Sequence, residues 1–444
     1  MRPFKGNLSA FKWLYPGMKV KRWLVLLLLG TTVLALGFAY LLRSIYDTWT
    51  FPSVFYYLTL QFLPRWWRAL LFGVVGLAAI VVAVVQLNHS LLAAFLTPGH
   101  DNLVDIVYRH RFQRGRGPKI VVLGGGTGLS TLLRGLKHYS GNISAIVTVA
   151  DDGGSSGRIR EELGMPPPGD FRNCIEALAD DESMVAQLFQ YRFSGENELG
   201  GHSFGNLFIA AMAGVTGNFE RALMESSRVL AVRGQILPST LENVTLCAEV
   251  VERESGDKRI CRVEGESHIP REGRIIQRAY LQPDGVRAYP GAIRAILDAD
   301  LVVIGPGSLY TSIIPNLLID EIAKALEVTL APKIYICNVA TQLGETEGFS
   351  VEDHVETLQR YLGKAPTYVL INNNFDVRVP DDWPVELVTM RDPGASPEPH
   401  YAITAADLID PANPWRHDSF KLVDNLVKLY EDIRASRLAE RTVA

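Results

Sequence analysis

The chain has 444 residues, 48% of them hydrophobic, and a formal net charge of −4. That length admits two or three domains, and the near-neutral charge, with no cluster of aromatics interleaved with Lys and Arg, argues against nucleic acid as a partner. The four cysteines, Cys174, Cys247, Cys261 and Cys337, lack C-x-x-C spacing, which fits neither a zinc site nor a secreted disulfide framework and points to a reducing compartment.

From Trp23 to Leu42 the chain runs without a charge, and a second uncharged run spans Ala69 to Leu87. Each is long enough to cross a hydrocarbon core of about 30 Å as a helix. Two buried helices of a soluble domain are the plainer alternative. The lengths favour a membrane anchor over residues 1–98, with transmembrane helices at about 23–42 and 69–87. Arg2, Lys5, Lys12, Lys19, Lys21 and Arg22 precede the first run, and Arg109, Arg111, Arg114, Arg116 and Lys119 follow the second. The connecting loop holds only Arg43, Arg65 and Arg68. Positive charge stays on the cytoplasmic side, so the expectation is a two-span protein of the inner (cell) membrane with both termini and the main domain cytoplasmic. Trp49, Trp66 and Trp67 would be interfacial anchors, and with nothing ionisable inside either run the hairpin would be an anchor and not a transporter.

After a basic linker, 99–118, the β-branched run Lys119 to Leu123 ends in Gly124-Gly125-Gly126-Thr127-Gly128-Leu129-Ser130. Leucines at 132, 133 and 136 predict a helix over 131–138, and a second strand follows at 143–150. Strand, glycine turn, helix and strand in about thirty residues form the βαβ unit that seats a phosphate over a helix N-terminus. The spacing is not the full G-x-G-x-x-G, because Leu129 takes the last glycine position. Asp151 and Asp152 strengthen it, since a carboxylate at the end of the second strand can accept hydrogen bonds from ribose hydroxyls. A tight ligand-free turn and a helix N-cap are the plainer readings of these residues.

Two polar loops follow, one with Gly153, Gly154, Ser155, Ser156, Gly157 and Arg158, the other running from Pro166 to Asn173 with Asp170 and Arg172. Backbone donors, hydroxyls and guanidinium groups suit a phosphorylated ligand. Arg158, Arg160 and Arg172 are candidates for a phosphate clamp, or are solvated and paired with Glu161 and Glu162. His202, Ser203 and Asn206 stand at the mouth of a small-residue apolar helix; a single histidine there does not indicate a metal.

From about 229 to 290 the pattern changes to short β-like runs, at 244–250, 259–263 and 275–281, that predict an antiparallel insertion. The parallel pattern resumes at 300–304 and opens through Gly305-Pro306-Gly307-Ser308 into a helix, a second anion-binding turn. Apolar runs at 333–337 and 367–371 complete a parallel sheet of five or more strands in an α/β domain over 119–435.

These residues resemble the CofD-like superfamily, most closely its gluconeogenesis factor (YvcK-type) branch, from Lys119 to the low 430s. The resemblance rests on VVLGGGTGLSTLLRGLK, IVTVADDGGSSGRIREELGMPPPGDFRN, HSFGNL and DLVVIGPGSLYTSIIPNLL, in the expected order. It implies a Rossmann-like, mostly parallel sheet with an inserted antiparallel β subdomain, here preceded by the two expected membrane helices, a departure from the family. It also implies a nucleotide or nucleotide sugar as ligand and a role in cell shape during growth on gluconeogenic carbon.

The leading expectation is a regulatory protein that binds a nucleotide sugar such as UDP-N-acetylglucosamine and acts on cell-wall synthesis proteins; a homo-oligomer is compatible with it. The ligand-binding candidates are Gly124, Gly125, Gly126, Thr127, Gly128, Ser130, Asp151, Asp152, Ser155, Ser156, Arg158, Asp170, Arg172, Asn173, His202, Ser203, Asn206, Gly305, Gly307 and Ser308. No cofactor is firmly implied. The related phospholactate transferases hold a nucleotide-linked donor and a metal, so the alternative is a Mg²⁺-dependent transferase, with Asp151, Asp152 and Asn173 as catalytic candidates and Asp151 or Asp152 on the metal. A nicotinamide oxidoreductase ranks third, because His202 alone does not supply a proton donor.

Overall fold

The computed structural model describes residues 20–48, 52, 54–76, 78, 82, 117–179, 184–195, 199–254, 257–377, 385–391 and 400–443. The chain divides into two compact units, Met1–Phe112 and Gln113–Ala444.

The first unit contains the helix Val20–Thr48, a short helix Val54–Leu58 and a helix over 65–76. Among the described residues no helix is long and apolar enough to cross a membrane. This overturns the expected two-span inner-membrane arrangement. Most of the expected second run beyond residue 76 lies outside the described residues, as do the linker residues 99–116.

The second unit is built on seven parallel strands: β1 (Ile120–Gly124), β2 (Ile143–Val147), β3 (Gln235–Pro238), β7 (Leu301–Ile304), β8 (Lys333–Ile336), β9 (Tyr368–Asn372) and β10 (Ala402–Ala406). Their order is β10-β9-β8-β7-β1-β2-β3. Every residue of β1 and β7 is buried, the mark of parallel strands covered on both faces. Leu129, Leu132, Leu133 and Leu136 of the helix Gly126–Leu136 are fully buried in the same core.

Between β3 and β7 lies an antiparallel sheet of β4 (Thr245–Glu254), β5 (Asp257–Glu264) and β6 (Arg274–Gln282), ordered β5-β4-β6. The insertion therefore begins later than the expected residue 229. The run Gln235–Pro238 instead pairs in parallel with β2, Ser144 to Val147, because Ile236 and Leu237 have an apolar edge to cover. After β10 the chain forms a hairpin, β11 (Ile409–Asp410) and β12 (Asn413–His417), and ends in the helix Ser419–Val443.

Candidate functional site

The strand order reverses between β1 and β7: the chain proceeds from β1 to β2 and β3 on one side, then returns to β7 on the other. Loops leaving the carboxyl ends of two such strands diverge and open a crevice, where ligands of doubly wound sheets bind. A cleft of about 480 Å³ lies there, bordered by Gly125–Gly128, by Gly307 and Ser308, by Asn338–Leu343, and by Trp415, Arg416 and His417 of the hairpin. Its size is that of a small-molecule site, about 300–1,000 Å³.

The first turn is shaped by what glycine lacks. A Cβ on Gly125 would stand 2.6 Å from Asp170 Oδ2 and 2.7 Å from Thr148 Cγ2, and Gly126 opens its helix at φ +63°. The amides of that first turn have no intrahelical acceptor, so they and the helix dipole favour an anion.

The second turn is held from two sides. Asn338 Nδ2 donates to Gly307 O at 2.9 Å, and the Gly307 amide donates to Asn338 Oδ1 at 3.4 Å. Behind it the chain enters a π turn, Leu309–Ile313. The buried carboxylate of Glu345 accepts there from Tyr310 N at 3.1 Å, Thr311 Oγ1 at 2.8 Å and Gln342 Nε2 at 3.0 Å. Burial pushes Glu345 up to about 7, against the pull of these donors.

An acidic cluster adjoins the first turn. Burial, then the neighbouring Asp151, push Asp170 up to about 7, while a hydrogen bond from the Gly126 amide opposes the shift. Asp151 is also raised, chiefly by burial, although its Oδ1 accepts from Gly153 N at 2.9 Å. Glu266 is raised to about 8 by burial and then by Asp151, Asp170, Asp152 and Glu345. Asp152 accepts from Ser267 N at 2.8 Å, which ties the cluster to the insertion. Such excess negative charge wants a proton or a cation. Among the described residues no group of three or more His, Cys, Asp and Glu side chains could hold a metal. A Mg²⁺ ion held by one or two carboxylates fits only if ligand phosphates and water complete its shell.

The sequence-derived candidates therefore fall into two sets. Gly125, Gly126, Thr127, Gly128, Gly307 and Ser308 border the cleft, and Gly124 and Gly305 lead into its turns. Asp151, Asp152, Ser155, Ser156, Asp170, His202, Ser203 and Asn206 form the polar ground beside the first turn. Ser155 Oγ lies 3.0 Å from His202 Nδ1 and accepts from Asn206 Nδ2 at 3.1 Å. Ser203 caps the helix Phe204–Thr216. Ser130 turns inward, its hydroxyl donating to Thr127 O at 3.0 Å.

The expected arginine clamp does not assemble. Arg158 donates to Gly200 O, Arg160 to Asn243 Oδ1 and Val244 O, and Arg172 to Asn173 Oδ1, which also occupies Asn173. Each guanidinium donates to a local acceptor, while the Arg172 Nε is buried without a hydrogen-bond partner. Sequence reasoning missed Asn338, Glu345, Glu266 and the hairpin 415–417. Asn338, just beyond β8, was within reach of the rule that ligands gather at strand carboxyl ends; the hairpin carried no signal.

The profile of the family described as "2-phospho-L-lactate transferase CofD" matches residues 120–386. The "Gluconeogenesis factor" of Bacillus subtilis (strain 168) is 51% identical over 268 residues, 60% of this chain and 82% of that one. The "Gluconeogenesis factor" of Halalkalibacterium halodurans is 50% identical over 244 residues, 55% of this chain and 74% of that one. A crystal structure of a Bacillus halodurans protein described as a member of the UPF0052 family superposes with a TM-score of 0.63 at 40% identity, covering 70% of this chain and 99% of that one. With its seven-stranded sheet, its two facing glycine turns and these relatives, the chain belongs to the CofD family, among the homologues named gluconeogenesis factor.

Proposed function

We propose that the chain is a regulatory protein that binds a nucleotide sugar of the UDP-N-acetylglucosamine class in the cleft between the β1 and β7 turns. Through cell-wall synthesis proteins it would act on cell shape during gluconeogenic growth. The observation that carries the binding reading is the pairing of two glycine turns, Gly125–Gly128 and Gly307–Ser308, on one cleft of about 480 Å³. One turn and its helix N-terminus suit a single phosphate; two facing turns suit a diphosphate with groups on either side. The relatives' names support the link to gluconeogenic growth.

A second reading, a Mg²⁺-dependent transferase of a nucleotide-linked phosphoryl group, is favoured by one observation: Asp151 and Asp170 are both raised beside the first turn. Mg²⁺ bound there would neutralise phosphate charge. The residues themselves would hold it through Asp151 and Asp170 and orient the phosphates through the Thr127 and Gly128 amides, the Gly126 amide being taken by Asp170.

The test is calorimetric titration of the full-length chain with UDP-N-acetylglucosamine, other nucleotide sugars and NAD(H), with and without Mg²⁺, each mixture then analysed for products. Saturable binding of the UDP sugar without turnover is expected. Metal-dependent consumption of ligand would replace the sensor with the transferase, and a preference for NAD(H) would overturn both.

A further inference from the structure

The β12 strand of the hairpin borders the same cleft as the glycine turns. Trp415, Arg416 and His417, consecutive on β12, all border the cleft. The hairpin is pinned in place: Asp418 N donates to Leu408 O at 2.8 Å, and Lys421 Nζ donates to Asp407 Oδ2 at 2.6 Å and to Ile409 O at 3.0 Å. A wall so braced is preorganised for a rigid ligand.

His417 has its chemistry fixed by one contact. Its Nε2 lies 3.2 Å from the carbonyl oxygen of Cys337. A carbonyl only accepts, so Nε2 carries the hydrogen. Burial depresses the ring to about 4, although the Cys337 contact pulls the other way. The imidazole is therefore neutral near pH 7, and Nδ1 is an acceptor with no hydrogen of its own. Two other polar side chains nearby are committed: the Asn338 amide to Gly307 at both ends, and the Gln342 Nε2 to Glu345.

From this geometry we infer that the hairpin is the base-reading wall of the nucleotide site, with His417 Nδ1 accepting a hydrogen bond from a protonated ring nitrogen of the base. The inference rests on the nucleotide reading above and deepens it. Uracil and guanine present such a ring N–H on their pairing edge. Cytosine and adenine present a bare nitrogen there and would oppose acceptor to acceptor. Specificity of this kind comes chiefly from penalising the wrong partner, because a buried polar atom left unpaired loses its full desolvation cost. The indole face of Trp415 supplies apolar area to the same ring without distinguishing among bases.

The test compares size-matched pairs on the full-length chain: UDP against CDP, GDP against ADP, and UDP against its N3-methyl derivative, which keeps both carbonyls and loses the donor. The expected result is UDP at least about tenfold tighter than CDP and than N3-methyl-UDP, with GDP over ADP in the same sense. His417→Phe keeps an aromatic ring at the wall and has no acceptor at the Nδ1 position. It should bring the UDP to CDP ratio within about twofold of unity chiefly by weakening UDP. A UDP preference that survives in His417→Phe, or equal binding of UDP and N3-methyl-UDP, would overturn the assignment and leave the nucleotide site standing. Failure of every nucleotide to bind the wild-type chain would remove both. The methylated ligand needs no variant, so it decides the matter even if His417→Phe fails to fold.

Discussion

Gly128 and Pro306 meet where a side chain has no room: a Cβ on Gly128 would stand 2.6 Å from the Pro306 carbonyl oxygen and 2.8 Å from Gly307 Cα. The turns after β1 and β7 are packed backbone against backbone, so the cleft's two glycine turns form one unit. Gly128→Ala forces them apart, and backbone yields less readily than a side-chain tip. The expected cost is about 2 kcal/mol of stability, together with a large loss of nucleotide-sugar affinity. At Gly124 the nearest atom to an added Cβ is 3.6 Å away, ordinary contact, so Gly124→Ala should change stability by no more than about 0.5 kcal/mol. Thermal melts of the two variants check this; equal losses would show that the close approach does not hold the turns.

The raised carboxyls predict how stability follows pH. Asp170 moves from 3.8 up to about 7 in the folded chain, so between those values the folded state holds a proton that the unfolded state has released. Stability therefore falls as pH rises through this window. Glu345, at about 7, and Glu266, at about 8, act in the same direction. Asp353, Asp407 and Asp410 are lowered and act oppositely nearer pH 4, and His417, depressed to about 4, with His202 and His354, also lowered, opposes the fall up to about pH 6.5. The melting temperature of the ligand-free chain should therefore decline from about pH 6.5 to pH 8. Asp170→Asn should melt higher than wild type at pH 8 and decline less steeply, and an unchanged slope would show that Asp170 does not carry the effect.

Much of this site is legible in the sequence where local chemistry dictates it. The apolar run before Gly124 could only be a buried strand, and the glycines after it could only be a turn. Asp151 follows the next strand in the position of a nucleotide-binding acid. Legibility fails where long-range packing decides. The proline run before Gly169 reads as loop, yet Phe171, Cys174, Ile175 and Leu178 bury one face of the helix Gly169–Leu178. The short β10, AITAA, has no strand signature and exists because Ala402–Ala406 pairs with β9. His417 becomes informative only once Cys337, 80 residues earlier, presents its carbonyl.

Arg160 shows how such a failure can be tested. In sequence it sits among phosphate-suited groups, but in the fold its Nε donates to Asn243 Oδ1 at 2.9 Å and its Nη2 to Val244 O. Its side chain is 9% exposed, leaving little of it for a ligand. It joins the helix Gly154–Leu163 to the segment entering β4, a brace between the sheet and its insertion. Arg160→Ala leaves the Val244 carbonyl without that partner and should lower stability by about 2 kcal/mol. Nucleotide-sugar affinity, measured well below the melting temperature, should stay within about twofold of wild type, since neither Asn243 nor Val244 borders the cleft between the glycine turns. Arg160→Lys restores a charge but not the two-pronged donation, so it should recover only part of the stability. If affinity instead fell tenfold with little change in melting, Arg160 would belong to the phosphate site that its neighbours in sequence suggest.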